Sequence, residues 1–274
     1  MHFPPTAKSL RNIFILSVAL IASISLIGCG MPNQSGLSTQ QLSVAPAQAG
    51  ILASTSPTVL LFNGSGTSSP DVSAVETILH SMNLVFATAN SSQIAAMSVT
   101  KLASYRLLIV PGGNSITIGN GLTKAATTNI HNAVINYGLH YLGICAGAFF
   151  GGSSIYNGLN LTSGVWFNPW TNGGRGTAKA SVMISYPNQK LDQYWEDGPQ
   201  LKGWGNIVGK YPDGIPSMVE GFSGKGWVIL CGFHPEAPST WRTGMTFSTS
   251  VATDNAYART MISAALNGTS LLHY

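Results

Sequence analysis

The chain has 274 residues, 45% of them apolar and only 8% charged, far below the roughly 25% of ordinary soluble domains. Its formal charge is +4, but Lys8 and Arg11 lie in the first segment, and without them 11 of the 13 basic residues face 9 acidic ones, a net of +2. No Lys/Arg cluster remains, which excludes the electrostatic footprint of a nucleic-acid binder and leaves a Gly-, Ser-, Thr- and Asn-rich surface of the kind that suits an extracytoplasmic protein.

In chain order, Lys8 and Arg11 precede an apolar run from Ile13 to Ile27, followed at once by Gly28-Cys29. A positive start, a short apolar run and a small residue at its end read as a secretory signal. The run is shorter than the roughly 20 residues a comfortable span needs; an uncleaved membrane anchor is the alternative. Leu26-Ile27-Gly28-Cys29 resembles the lipobox of bacterial lipoproteins. That resemblance implies removal of residues 1–28 and lipidation of Cys29. Each buried CH₂ of the acyl chains would contribute about 0.8 kcal/mol to membrane binding. Gly30, rather than Asp, after the cysteine fits an outer-membrane destination in a Gram-negative cell. Residues 29–56 then form a tether: uncharged, rich in Ser, Gln, Ala, Gly and Pro, without sustained period, and expected to be flexible.

From residue 57 to 274 a single α/β domain is expected. Thr58–Phe62 is a continuous apolar run, as for a strand covered on both faces, and ends in the turn signal Asn63-Gly64-Ser65-Gly66. A helix follows: Ser69 as cap, Pro70 at the first position, Asp71 at the positive helix end. Val72, Val75, Leu79 and Met82 give it a buried face. Leu84–Ala87 reads as a strand, Ser91–Met97 as a short helix, and Leu107–Val110 as a strand stopped by Pro111-Gly112-Gly113. A helix over Thr123–Tyr137 closes at Gly138, which tolerates positive φ, and His140–Ile144 is the next strand. Alternation at this spacing means an open, mostly parallel sheet with helices on both faces. The second half is richer in strands, about Ala178–Tyr186, Ser217–Phe222 and Trp227–Gly232, and ends in a helix near Thr253–Leu266.

Three motifs carry chemistry. Gly143-Ile144-Cys145-Ala146-Gly147 fits a nucleophile elbow with Cys in place of Ser, after a strand and before a helix. The helix start would favour thiolate over thiol. Gly232-Phe233-His234-Pro235-Glu236 follows another strand. Residues i and i+2 of an extended chain point to one side, so His234 and Glu236 can emerge together. Histidine would polarise the thiol while glutamate holds the imidazole, the logic of a triad. After its strand, Pro111-Gly112-Gly113 lets backbone N–H groups approach an oxyanion, with the Ala146 N–H as second donor. All three fall at strand C-terminal ends, where open α/β sheets place their sites.

The elbow with a later His-Pro-Glu resembles the class I glutamine amidotransferase superfamily, with its flavodoxin-like sheet. More narrowly, the chain resembles the biotin-protein ligase N-terminal domain family. The matching stretches are Phe62–Ser68, Val110–Gly113, Tyr141–Gly151 and Gly232–Glu236. The resemblance implies a Cys145–His234–Glu236 triad. Glutamine-using members place a Gln soon after the elbow, where this chain has Ala148, Phe149 and Phe150. No synthase domain is present to receive ammonia. Gly173-Gly174-Arg175-Gly176 is a glycine-rich loop, with no biotin ligase catalytic domain around it.

Asn63, Phe149, Trp166 and Arg175 are candidate pocket residues. Phe167, Trp170, Tyr194, Trp195 and Glu196 lie in the loop-like stretch between elbow and histidine and either wall the pocket or pack as surface loops. Cys231 reads as a small apolar strand residue. No His/Cys/Asp set has metal-ligand spacing, so no metal and no other cofactor is expected. The reading is an envelope-anchored cysteine amide hydrolase or acyl-transfer enzyme acting on a small-molecule or peptide amide. Its alternative is a non-catalytic ligand-binding lipoprotein that retains the pocket.

Overall fold

Continuous apolar runs become the centre of the sheet. In the computed structural model, which describes residues 58–171 and 179–274, β1 (Val59–Phe62) and β3 (Leu107–Val110) are buried along their whole length. The signal, Cys29, the tether and the Gly173–Gly176 loop with Arg175 lie outside the described residues. With β2 (Phe86–Ala89), β4 (His140–Ile144) and β9 (Gly226–Cys231) these strands form the parallel half, in the order β2-β1-β3-β4-β9. Val59 pairs with Leu107, Leu108 with Tyr141 and Leu142 with Ile229.

Successive side chains of a strand point to opposite faces, and both faces here are covered. Val59 and Leu61 join the cluster made by α1 (Ser69–Ser81) and α7 (Val251–Asn267), with Val75, Leu79, Met261 and Ile262. Leu60 and Phe62 join the other cluster, with Ile130 and Val134 of α5 (Lys124–Tyr137). Side-chain caps fix the helix starts: Thr123 accepts from Ala126 N–H, and Ser250 accepts from Thr253 N–H. Asn90 and Gln93 form a reciprocal capping box at α2 (Ser91–Ala95). Gly138 and Gly268 end α5 and α7 in the left-handed region.

Several boundaries differ from the sequence expectation. The N-cap of α1 is Ser68, so Ser69 and Pro70 lie inside the first turn. The second strand is displaced to Phe86–Ala89, and two short helices, α3 (Val99–Leu102) and α4 (Ser115–Asn120), were not anticipated. The larger correction concerns the sheet, which is mixed rather than mostly parallel. Beyond β9 the order continues β8-β7-β5-β6 with every pairing antiparallel: β8 (Pro216–Ser223), β7 (Asn206–Lys210), β5 (Lys179–Ser185) and β6 (Lys190–Glu196). The physical reason is connection length. β8 reaches β9 through Gly224-Lys225, and β5 reaches β6 through Tyr186–Gln189, too short for the crossover that a parallel pair needs. β6 is hidden because its buried polar residues mask the apolar period, and β7 because its five residues, one of them glycine, are too few to show one. Asp192 and Gln193 of β6 are buried: Asp192 accepts from Thr249 N–H at 2.7 Å, and Gln193 Nε2 donates to Asp254 at 3.1 Å while its Oε1 has no hydrogen-bond partner.

Behind the segment that carries His234, a one-turn 3₁₀ helix (Ser239–Arg242) is tied to α7 by the buried Arg242 Nη2–Asp254 Oδ2 pair at 2.5 Å. Removing one partner of such a pair leaves a buried charge without compensation, at a cost of about 3–5 kcal/mol. Arg242→Met should therefore lower the urea midpoint by an amount corresponding to about 3–5 kcal/mol, with the m-value unchanged. A shift below about 1 kcal/mol, the value of an exposed pair, would mean that this tie does not hold the segment.

Candidate active site

The elbow is built by backbone proximity that only glycine permits. Cys145, between β4 and α6 (Ala146–Gly151), has φ 49° and ψ −105°, a left-handed conformation for a non-glycine residue. Such strain, about 1–3 kcal/mol, persists where the surroundings over-determine it. Here a Cβ on Gly143 would lie 2.4 Å from the Gly147 carbonyl oxygen, and one on Gly147 would lie 1.9 Å from that of Val110. The Cys145 N–H donates to Cys231 O at 2.7 Å, and the Tyr141 hydroxyl donates to Gly147 O at 2.7 Å. Cys145 lines a cavity of about 460 Å³.

His234 and Cys145 line that cavity together. The Cys145 Sγ donates to the Glu196 carbonyl at 3.4 Å, and Cys145 lies close enough to His234 to influence the imidazole. His234 Nδ1 faces Glu236 Oε1 at 2.9 Å and, on a second side, Asp71 Oδ1 at 3.2 Å. Its backbone N–H donates to Tyr194 O at 2.8 Å, and the ring packs edgewise against Tyr194 and Trp241, at 5.8 and 5.7 Å between centroids. Burial by itself lowers the His234 pKa. The Cys145 charge and the Glu236 and Asp71 carboxylates outweigh it and leave the pKa well above the usual value. Burial raises the Glu236 pKa, an effect only partly offset by His234. For Asp71 burial is again the largest influence and raises the pKa, but His234 and Ser68 together reverse it and the carboxyl ends below its ordinary value.

Asp71 is the residue that sequence reasoning placed elsewhere, as a charge suited to a helix start. Its position in the first turn of α1 does carry that signal, but nothing in the sequence indicates that this turn abuts the end of β9. Together Asp71, His234 and Glu236 offer three ligand-type atoms within 4.8 Å of one another, a set that spacing along the chain could not reveal. It is the one group among the described residues able to hold a metal ion, and its separations are those of hydrogen bonds.

The other candidates divide. Gly113 and Ala146 line the cavity beside Cys145, and the Ala146 N–H is one of the orphan donors of a helix start. Gly112 does not line it. A Cβ there would meet Asp71 Oδ1 at 2.0 Å and His234 Cε1 at 2.7 Å, so this glycine makes room for the carboxylate and the ring rather than facing an oxyanion. Phe149, Trp166, Phe167 and Glu196 line the cavity, while Asn63 is exposed at the end of β1 and is not part of it. Trp170 stacks on Tyr211 at 4.1 Å, and Trp195 is fully buried; both belong to the core. Tyr194 and Trp195 lie on a strand, not in a loop. Cys231 is a buried free thiol, with its pKa pushed up by burial, and Cys145 is likewise free.

Residues 57–161 match the family model described as biotin-protein ligase, N terminal. That stretch contains Asp71, the Gly112-Gly113 turn and the elbow, and ends before His234. No curated protein matches the chain. Among solved structures, a glutamine amidotransferase from Thermotoga maritima is similar at TM-score 0.50 and 12% identity, over 76% of this chain and 97% of that one. A glutamine amidotransferase from Methylobacillus flagellatus gives TM-score 0.49 at 9% identity, over 80% and 97%. Exo-β-1,4-mannosidase Op5Man5 from Opitutaceae bacterium strain TAV5 gives TM-score 0.49 at 15% identity over 76% of this chain, which spans 36% of that protein's length. At these identities the likeness is one of fold: an α/β domain with a large sheet, similar to that of glutamine amidotransferases.

Gly147→Ala tests the elbow geometry. Its new methyl would collide with backbone that cannot rotate away, so a loss of about 1–3 kcal/mol or more in denaturant stability is expected. A neutral substitution would mean that the elbow relaxes freely, contrary to the close approach of Gly147 to Val110.

Proposed function

We propose that the chain is a cysteine-nucleophile amide hydrolase or acyl-transfer enzyme held at the cell envelope. The observation that carries this reading is Cys145 itself. It is strained into positive φ on a glycine-built elbow and faces a cavity that it shares with His234. A cysteine that only fills space has no need of that conformation.

In the proposed reaction the Cys145 sulfur attacks the amide carbonyl carbon and forms a C–S bond. The carbonyl π pair moves to the oxygen, where the Ala146 and Gly113 N–H groups are suited to stabilise it. The imidazolium of His234 then gives its proton to the leaving amine as the C–N bond breaks. Water, deprotonated by neutral His234, cleaves the resulting thioester and restores the thiol; an amine acceptor in place of water gives acyl transfer. Glu236 holds the imidazole through Nδ1. Phe149, Tyr156 and Trp166 supply an apolar wall for the substrate. The stretch Ala148-Phe149-Phe150 after the elbow favours an amide other than glutamine. The proposed place at the envelope rests on the lipobox-like Leu26–Cys29.

Two measurements test this. Cys145→Ala should reduce turnover of any amide found in a screen of small amides and cell-wall peptides by at least about 10³-fold. It should also abolish iodoacetamide labelling at that site, whereas Cys231→Ala should leave labelling intact. A wild-type Cys145 that alkylates no faster near pH 7 than an ordinary thiol would favour the non-catalytic binding protein instead. For the anchor, intact-mass analysis of the membrane fraction should give a diacylated or triacylated chain starting at Cys29. A mature chain starting at Met1 would remove that part of the proposal.

A further inference from the structure

Two carboxylates compete for one ring N–H. His234 Nδ1 lies 2.9 Å from Glu236 Oε1 and 3.2 Å from Asp71 Oδ1, and an imidazole nitrogen carries a single proton. Two like charges sharing a buried site push each other's protonation apart, so one carboxyl tends to remain neutral. Their surroundings decide which. The Glu236 side chain is 1% exposed, and its Oε2 is a buried atom without a hydrogen-bond partner. The Asp71 side chain is 11% exposed, lines the cavity and sits in the first turn of the 13-residue α1, where the helix end favours negative charge. Gly112 is cut back to hydrogen where a Cβ would strike Asp71 Oδ1 and the His234 ring. The chain thus keeps space open for this contact.

We propose that Asp71 is the charged positioning residue of the site. Its carboxylate supports the imidazolium of His234, while Glu236 acts as a neutral acid whose carbonyl oxygen fixes the ring. The directions already described agree: Asp71 lies below its ordinary pKa and Glu236 above it. The groups facing His234 are Asp71 from α1, Cys145 from the elbow, Tyr194 and Glu196 from β6, and Glu236 on its own segment. Of these, the two carboxyls at Nδ1 decide the ring's charge, and Nε2 is left for the sulfur.

This inference rests on the cysteine-nucleophile reading, but its test needs no substrate. The rate of Cys145 alkylation by iodoacetamide is measured against pH for wild type, Asp71→Asn, Asp71→Glu and Glu236→Gln. The sign follows from charge: an anion at Nδ1 favours imidazolium, and imidazolium favours the reactive thiolate. Asp71→Asn should move the midpoint up by about one pH unit or more. Asp71→Glu should recover part of that shift, and Glu236→Gln, which keeps a carbonyl acceptor, should move it less than Asp71→Asn does. Equal shifts, the reverse order, or an Asp71→Asn profile superimposable on wild type would overturn the assignment. Should Asp71→Asn fail to fold, Glu236→Gln still decides: an upward shift of about one unit makes Glu236 the charged partner and ends the proposal. A slow, pH-insensitive Cys145 in wild type would instead count against the cysteine-nucleophile reading itself.

Discussion

The hydrogen bond from Cys145 N–H to Cys231 O, 2.7 Å long, continues the parallel β4–β9 ladder by one step beyond Ile144↔Cys231. Everything at the site depends on that register. It fixes the end of β4, where the elbow must turn, against the end of β9, where the chain must leave toward His234. A slip of one residue would reverse the faces of all side chains on the strand and would separate sulfur from imidazole. The register is well specified because both strands are buried on both faces, with Leu142, Ile144 and Ile229 packed on one side and Tyr141, Val228 and Leu230 on the other.

The antiparallel extension does more than widen the sheet. β6 supplies the Tyr194 carbonyl that receives the His234 N–H, the Glu196 carbonyl beside the Cys145 sulfur, and part of the cavity rim. Asp192 on the same strand accepts from Thr249 N–H and hydroxyl, just before α7. Arg242 binds Asp254 within that helix. The imidazole is therefore held from behind by the strand-rich half and its buried polar contacts, and reached from the front by the elbow of the parallel half.

This division explains what the sequence made legible. Apolar strands buried on both faces declare themselves as unbroken runs, and Leu107–Val110 and His140–Ile144 were readable to the residue. Gly143 and Gly147 leave a local motif because both flank the nucleophile, although the backbone that Gly147 approaches is that of the distant Val110. β6 does not announce itself, since Asp192 and Gln193 are buried polar residues whose partners lie elsewhere in the chain, and β7, five residues with a glycine among them, is too short to show a period. The reading of the sheet as mostly parallel failed in part for the same reason. The turn near Asn188 looks like any polar loop until β6 is recognised, whereas Gly224-Lys225 lies between two legible strands and is by itself too short for a parallel crossover. Asp71 illustrates the limit most directly. As a residue it satisfies a local rule for helix starts, so nothing in its neighbourhood hints at a second role.

That double duty has a physical consequence for how the site holds together. A buried imidazole near neutral pH loses solvation if charged, and burial alone disfavours that state at His234. The charge becomes tolerable only where fixed anions face it, and a carboxylate is itself difficult to bury. Asp71 meets both demands at once, because the first turn of α1 compensates its charge on one side and the ring does so on the other. The packing of α1 on β1 is thereby coupled to the protonation of a histidine at the end of β9, through one contact that Gly112 leaves room for. Strain at Cys145, the buried ring and the carboxyl pair are each unfavourable in isolation. They persist because the same few backbone contacts over-determine all three, so a change that loosens one should be felt at the others as a change in thiol chemistry before it is felt as a loss of fold.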